Sequence, residues 1–183
     1  MDEQMHAEAS IIRPCVEADI PEILEIINTA ARAYAGVIPE DRFHDPYMPA
    51  DELRGELAAG VRFSGSDRTG ALTGVMGVQH VRNVRLIRHA YVLPEWQGHG
   101  VGSRLLDHLR GSGDQPILIG TWKAATWADQ FYERHGFSLV PQSATAPLLQ
   151  TYWDVPARQV ETSIVLASPS LSHEEAMRLI AAA

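Results

Sequence analysis

The chain has 183 residues, which suits one domain and leaves little room for two. Hydrophobic residues make up 45% and charged residues 21%, a composition that excludes a disordered chain. Lys and Arg number 15 against 23 Asp and Glu, and a net charge of −8 argues against a nucleic-acid partner held by its phosphates.

Cys15 is the single cysteine, so no intrachain disulfide can form, which fits a reducing compartment. The start Met1-Asp2-Glu3-Gln4 is acidic with no apolar run behind it, so no signal peptide is expected. No run approaches the ~18 apolar residues of a membrane helix, and a cytoplasmic protein without a membrane partner is the expectation.

Residues 1–9 read as a flexible tail. Ile11 and Ile12, ahead of Arg13-Pro14, start a first strand. Asp19 is placed as an N-cap, with Glu22 completing a capping box and Pro21 in the first turn. Ile20, Ile23, Leu24, Ile27, Ala31 and Tyr34 then follow at helical spacing, and Gly36 ends the helix. Residues 37–49 read as a loop. Asp51 is placed as the cap of a second helix carrying Leu53, Leu57 and Ala58, which Gly60 ends. Val61 to Phe63 starts a strand, residues 64–70 read as turn, and Ala71 to Val78 returns as a hairpin partner. A further strand spans Val84 to Leu93 after a turn at Arg82-Asn83.

Pro94 stops that strand. A helix carrying Val101, Leu105, Leu106 and Leu109 follows, then the apolar run Pro116 to Gly120, which suits a strand buried on both faces. A helix over Thr126 to His135 ends at Gly136, and Phe137 to Val140 reads as a short strand. Residues 141–158, with Pro141, Pro147 and Pro156, read as irregular. Val160 to Leu166 reads as the last strand, and Ser172 with Glu175 caps a terminal helix.

Between the strand ending at Leu93 and the next helix lies Gln97-Gly98-His99-Gly100-Val101-Gly102. A strand, a glycine-rich turn and a helix start leave unpaired N–H groups aimed outward, which suits a phosphate. A nucleoside-triphosphate loop needs a lysine that this turn lacks, and a dinucleotide fingerprint needs a third glycine where Ser103 stands. The pattern is Gln-x-x-Gly-x-Gly.

This pattern resembles the pyrophosphate-binding signature of the GNAT superfamily of acetyl-CoA-dependent acyltransferases. Phe131-Tyr132-Glu133-Arg134-His135-Gly136-Phe137 resembles the family's second motif, and the element order from Ile11 to Leu166 agrees. The resemblance implies an α+β fold with a mixed, mostly antiparallel sheet of about seven strands flanked by helices. The strand ending at Leu93 and that at 116–121 would run parallel and splay apart around the pantetheine. Residues 10–168 would form the acetyltransferase domain, with 169–183 a short C-terminal helix. By the same resemblance, Tyr91 and Val92 would pair with pantetheine through their backbone. Gln97 belongs to the signature, and Gly98, His99, Gly100, Val101, Gly102 and Ser103 would cradle the pyrophosphate.

The implied reaction moves an acetyl group from acetyl-CoA, as co-substrate, to a primary amine on a small molecule or peptide. It needs a neutral amine, a donor to the oxyanion and a proton for the departing thiolate. Tyr132 stands where the family often places its general acid, and also reads as a core tyrosine. The Val92 N–H is the candidate oxyanion donor. The general base stays open. Leu86 and Arg88 share the face on which relatives carry a base, His89 falls on the opposite face by strand alternation, and His80, Glu161, Glu40 and Asp41 are weaker candidates. Ala125 replaces an asparagine often found seven positions before the tyrosine, with Trp122 and Trp127 flanking it. A module that holds acyl-CoA without catalysis is the rival reading, and a longer acyl donor a third. The eight histidines show no metal-binding spacing, so no metal is expected. A homodimer is an expectation of the resemblance alone.

Overall fold

The computed structural model describes residues 10–183; the tail expected at 1–9 lies outside them. In chain order the strands are β1 Ile11–Pro14, β2 Arg62–Arg68, β3 Ala71–Val81, β4 Val84–Val92, β5 Ile117–Trp122, β6 Ser138–Leu139 and β7 Ser163–Ser168. The helices are α1 Ile20–Ala30, α2 Ala50–Ala58, α3 Val101–Arg110, α4 Thr126–Arg134, α5 Gln142–Tyr152, α6 Ala157–Thr162 and α7 His173–Ala181. One seven-stranded sheet has the order β1-β2-β3-β4-β5-β7-β6. β1 with β2, β2 with β3, β5 with β7 and β6 with β7 pair antiparallel, while β4 and β5 pair parallel, Arg85 to Ile87 against Ile117 to Ile119. This is the mostly antiparallel α+β architecture expected from the sequence. Among the described residues no helix is long and apolar enough to cross a membrane.

The chain divides into two compact units, and β3 and β4 each contribute to both. The first holds residues 10–33, 44–78 and 88–112. Its core forms because α1 buries Ile23, Ile26, Ile27 and Ala30 on one helical face. Leu53 of α2 and Phe63, Leu72 and Val75 of the sheet belong to the same core. Each such side chain, fully buried, contributes about 1.5–3 kcal/mol. Arg13 stitches the edge of this unit: Nη1 and Nη2 donate to Asp19 at 2.8 and 2.9 Å, and Nε donates to Asp67 at 2.7 Å. The second unit holds residues 34–43, 79–87 and 113–183. Its core takes Leu86, Leu118, Leu148, Leu149, Tyr152 and Val165. Arg85, only 3% exposed, ties down the approach to β5 by donating to the carbonyls of Gly113 and Gln115 at 2.6 and 3.2 Å.

Several local expectations are corrected. Asp19 stands at the N-cap position of α1 as expected, but its side chain makes no cap hydrogen bond; its carboxylate turns back to Arg13 and the Val16 N–H. Glu22 makes no capping box, because its carboxylate accepts the Leu72 N–H of β3 at 2.8 Å. Asp51 lies inside the first turn of α2, whose N-cap is Pro49. Residues 64–68 are strand, not turn; the turn is confined to Thr69-Gly70. Ser64 and Ser66 are buried there, with the Ser66 carbonyl accepting the Thr73 hydroxyl at 3.1 Å. A Cβ at Gly65 would stand 2.6 Å from Leu72 Cδ2, so any larger residue there would push the buried Leu72 side chain aside. The segment expected to be irregular folds as α5 and α6, and β7 starts at Ser163 rather than Val160. α5 buries Ala144, Thr145, Leu148, Leu149 and Tyr152, and that face outweighs the hydrogen bond that Pro147 cannot donate. The capping box of α7 is present: Ser172 Oγ accepts the Glu175 N–H at 3.2 Å, and the Glu175 carboxylate accepts the Ser172 N–H at 2.8 Å.

Candidate active site

The glycine turn lies wholly in the first unit. β4 is buried from Val84 to Ile87 and half-buried from Arg88 to Val92, so solvent reaches only its second half. A short 3-10 turn, Pro94–Trp96, leads away from the strand. Gly98 and Gly100 have φ of +77° and +75°, a left-handed backbone that other residues adopt only at a cost of about 1–2 kcal/mol. α3 starts at Val101 with Gly100 as its N-cap, and no side chain caps it. The dipole of the helix therefore ends at an exposed turn that carries no acidic side chain between Gln97 and Ser103. The donor set suits a pyrophosphate.

The turn is braced from behind. Gln97 Nε2 donates to the Val92 carbonyl at 3.1 Å, closing the turn onto β4. His99 is exposed; its Nδ1 lies 2.9 Å from the Gln97 carbonyl, and its ring meets the Trp96 ring edgewise. The Arg68 guanidinium lies 4.8 Å from the centre of that Trp96 ring. Arg104 donates to the His99 carbonyl at 3.2 Å and to Ser10 Oγ at 2.8 Å, which keeps a cation beside Gly100. Gly74 of β3 lets α3 approach the sheet, since a Cβ there would stand 2.9 Å from Val101 and 3.1 Å from the Tyr91 carbonyl. Arg68, Arg104 and Gly74 escaped the sequence reading because each is distant in sequence or common in type.

Farther back on β4, His89 has φ +51°. A left-handed residue that is not glycine costs about 1–3 kcal/mol, and such strain gathers at functional sites. It also corrects the expectation from alternation. Arg88 and His89 reach the same carboxylate, Glu56 of α2: Arg88 Nη2 at 2.9 Å and His89 Nε2 at 3.2 Å. The His89 ring stacks on Phe63, with centroids 6.0 Å apart. Burial pushes the Glu56 carboxyl up, but His89 and Arg88 outweigh it and hold the group below its ordinary value.

The second motif lies in the second unit. Tyr132 is buried on α4, edge-on to Phe131 at 5.1 Å and Phe137 at 5.7 Å. Burial, helped by nearby Tyr34, pushes its phenol well above the ordinary value, so it keeps its proton. Ala125 is buried at the N-cap of α4 and supplies no capping side chain. Trp122 is buried, whereas Trp127 is exposed and packs on Tyr34 at 5.7 Å.

The other base candidates fare differently. Asp41 pairs with Arg158 at 2.8 Å, which holds its carboxyl low, and Glu40 and Glu161 are exposed. His80 is exposed and Nδ1 lies 3.1 Å from Gln115. In the first unit, Cys15 is half-buried beside Gly65, and its thiol is pushed up to about 12 by burial, so it is a poor nucleophile. Among the described residues no cluster of three or more His, Cys, Asp or Glu could hold a metal ion.

Residues 59–139 match the family model described as an acetyltransferase (GNAT) domain. Among solved structures, the chain is similar to the PaiA N-acetyltransferase of Thermoplasma acidophilum in complex with coenzyme A. The identity is 16% over 87% of this chain and 98% of that one, with a TM-score of 0.64. It is similar to a GNAT-family acetyltransferase of Staphylococcus aureus, at 16% identity over 87% and 98% of the two chains, with a TM-score of 0.62. It is also similar to the N-acetylglutamate synthase of Neisseria gonorrhoeae complexed with coenzyme A and N-acetyl-glutamate. There the identity is 19% over 86% of this chain and 34% of that one, with a TM-score of 0.60. At these identities the likeness is one of fold. No curated protein sequence matches the chain.

Proposed function

We propose that this chain, which has the GNAT fold and whose residues 59–139 match the model of a GNAT acetyltransferase domain, transfers an acetyl group from acetyl-CoA to a primary amine. The observation that carries this reading is the uncapped start of α3 behind two left-handed glycines, Gly98 and Gly100. Two of the similar structures hold coenzyme A, which agrees with it.

In this reading the backbone at Tyr91 and Val92 pairs with the pantetheine arm. The N–H groups of the turn from Gly98 to Ser103 receive the pyrophosphate, with Arg104 adding positive charge. Acetyl-CoA supplies an activated acyl carbon and a thiolate leaving group. The Val92 N–H steadies the developing oxyanion. The family resemblance assigns the proton for the thiolate to Tyr132, which burial keeps protonated. The amine attacks directly, without an acyl-enzyme. Ala125 in place of the asparagine often found there, together with the lack of a base at Leu86 and Arg88, motivates one rival, a module that binds acyl-CoA and does not turn it over. Binding without thiol release across a broad amine panel would decide for that rival.

Calorimetric titration with acetyl-CoA tests the site. Gly100→Asn and Gly100→Asp are the paired variants, because Asn tolerates a left-handed backbone and the two differ only in charge. The expected result is binding by the wild type, moderate loss in Gly100→Asn, and a further loss of about tenfold or more in Gly100→Asp. Equal affinities in all three would move the cofactor elsewhere, and no binding by the wild type would end the reading.

A further inference from the structure

We propose that His89 is the base that takes the proton from the acceptor amine, and that Glu56 positions it; this rests on the acetyltransfer reading. Three observations carry the assignment. The left-handed backbone at His89 swings its ring to the side on which Glu56 lies, out of the alternation of β4. The ring is then fixed between Phe63 and the carboxylate, with Nε2 fully buried and 3.2 Å from Glu56 Oε2, though not aligned as a hydrogen bond. Nδ1 makes no hydrogen bond to any described residue, so it is the nitrogen left for a substrate.

Among the described residues, the charged groups recorded in contact with the ring or its partner are Glu56 and Arg88. α2 contributes Glu56, β2 contributes the uncharged Phe63, and on β4 the neighbour is Arg88, which is paired to Glu56 at 2.9 Å. β3 contributes Gly77, which backs the Arg88 carbonyl and has no side chain. A carboxylate beside one imidazole nitrogen, with the other nitrogen left without a partner among the described residues, is an arrangement that can orient a general base. His89 also lies two residues before Tyr91, on the half of β4 that solvent reaches.

The step balances as follows. An ammonium acceptor gives one proton to His89 Nδ1. The neutral nitrogen attacks the thioester carbonyl, a C–N bond forms and the C–S bond breaks. The second amine proton ends on the thiolate, giving amide and free thiol, and His89 returns its proton to solvent.

The test uses the full chain with acetyl-CoA and a panel of primary amines, reading thiol release from pH 5.5 to 9 beside calorimetric acetyl-CoA binding. His89→Asn keeps a residue that tolerates the left-handed backbone and removes the imidazole. At neutral pH kcat/KM for the amine should fall about 100-fold, with acetyl-CoA affinity within about threefold. The deficit should shrink as the pH rises and more amine is already neutral. His89→Gly should lose the same activity while melting at or above the wild-type temperature, which a merely structural histidine would not do. Glu56→Gln should change the shape of the pH profile with binding intact. A wild-type rate and pH profile in His89→Asn overturns the assignment and leaves the acetyltransfer reading standing. Failure of the wild type to release thiol with any amine overturns both.

Discussion

Tyr132 is where sequence and structure press on one residue from two sides. The motif marks it as an acid, while its packing between Phe131 and Phe137 is that of a core aromatic. The two readings separate in kinetics. A hydroxyl that matters as the thiolate leaves contributes to kcat, not to ground-state binding. Tyr132→Phe should therefore lower kcat by about tenfold or more, with acetyl-CoA affinity within about threefold and a similar melting temperature. Stopped turnover with unchanged binding would support the acid; an unchanged kcat would return Tyr132 to the core. His89 shows what alternation misses. A period of two holds only while φ stays extended, and one left-handed residue reverses the side on which its neighbours lie.

At the scale of elements, short-range signals were legible. The Ser172–Glu175 box, the positive-φ Gly60 and Gly136 after α2 and α4, and the glycine turn after Leu93 are all set by contacts within a few residues, whereas α1 stops at Ala30, short of the expected Gly36. α5 was not legible, because Pro141, Pro147 and Pro156 read locally as breakers. Its stability comes from burial of Leu148, Leu149 and Tyr152 against β7 and neighbouring helices, a gain that no local window contains. Leu148 is fully buried, so Leu148→Ala should cost about 3 kcal/mol in denaturant unfolding, at the level of a core helix. A cost below about 0.5 kcal/mol would mean that the segment behaves as the irregular loop its prolines advertise. The strand residues 64–68 failed for a related reason: Ser and Gly have low strand propensity, yet Gly65 and Ser66 fit where larger side chains would collide with Leu72 or fill the bonded space beside Thr73.

Over the whole molecule, acid should act unevenly on the two units. The Arg13 guanidinium holds the Asp19 carboxyl below its ordinary value, aided by the Val16 N–H. Arg13 likewise lowers Asp67, aided by the Gly70 N–H, and Glu56 is held low in the same unit. A carboxyl depressed in the folded state stabilises fully above its unfolded value, about 4, and loses that contribution as the pH falls through the lower folded value. The second unit's shifted carboxyls, Asp41 and Glu175, are exposed and contribute little. Amide-exchange protection should therefore fall first in α1, β1 and β2 as the pH drops from about 5 toward 3, ahead of β5, α5 and β7. Simultaneous loss in both units would remove the Arg13 network as the cause.

What the sequence determined by itself was whatever steric and short-range forces impose: the order of most elements, the glycines after α2 and α4, the capping box of α7, and a glycine turn whose backbone suits pyrophosphate. Tertiary structure alone decided which polar groups meet. Glu22 left its cap for a strand N–H fifty positions away, Asp19 turned to Arg13, and Glu56 was brought from α2 to a histidine on β4. A side chain's nearest donor in the chain is visible in sequence. Its partner in space exists only after the cores have closed, because burial makes an unpaired charge costly and so selects the partner that packing supplies.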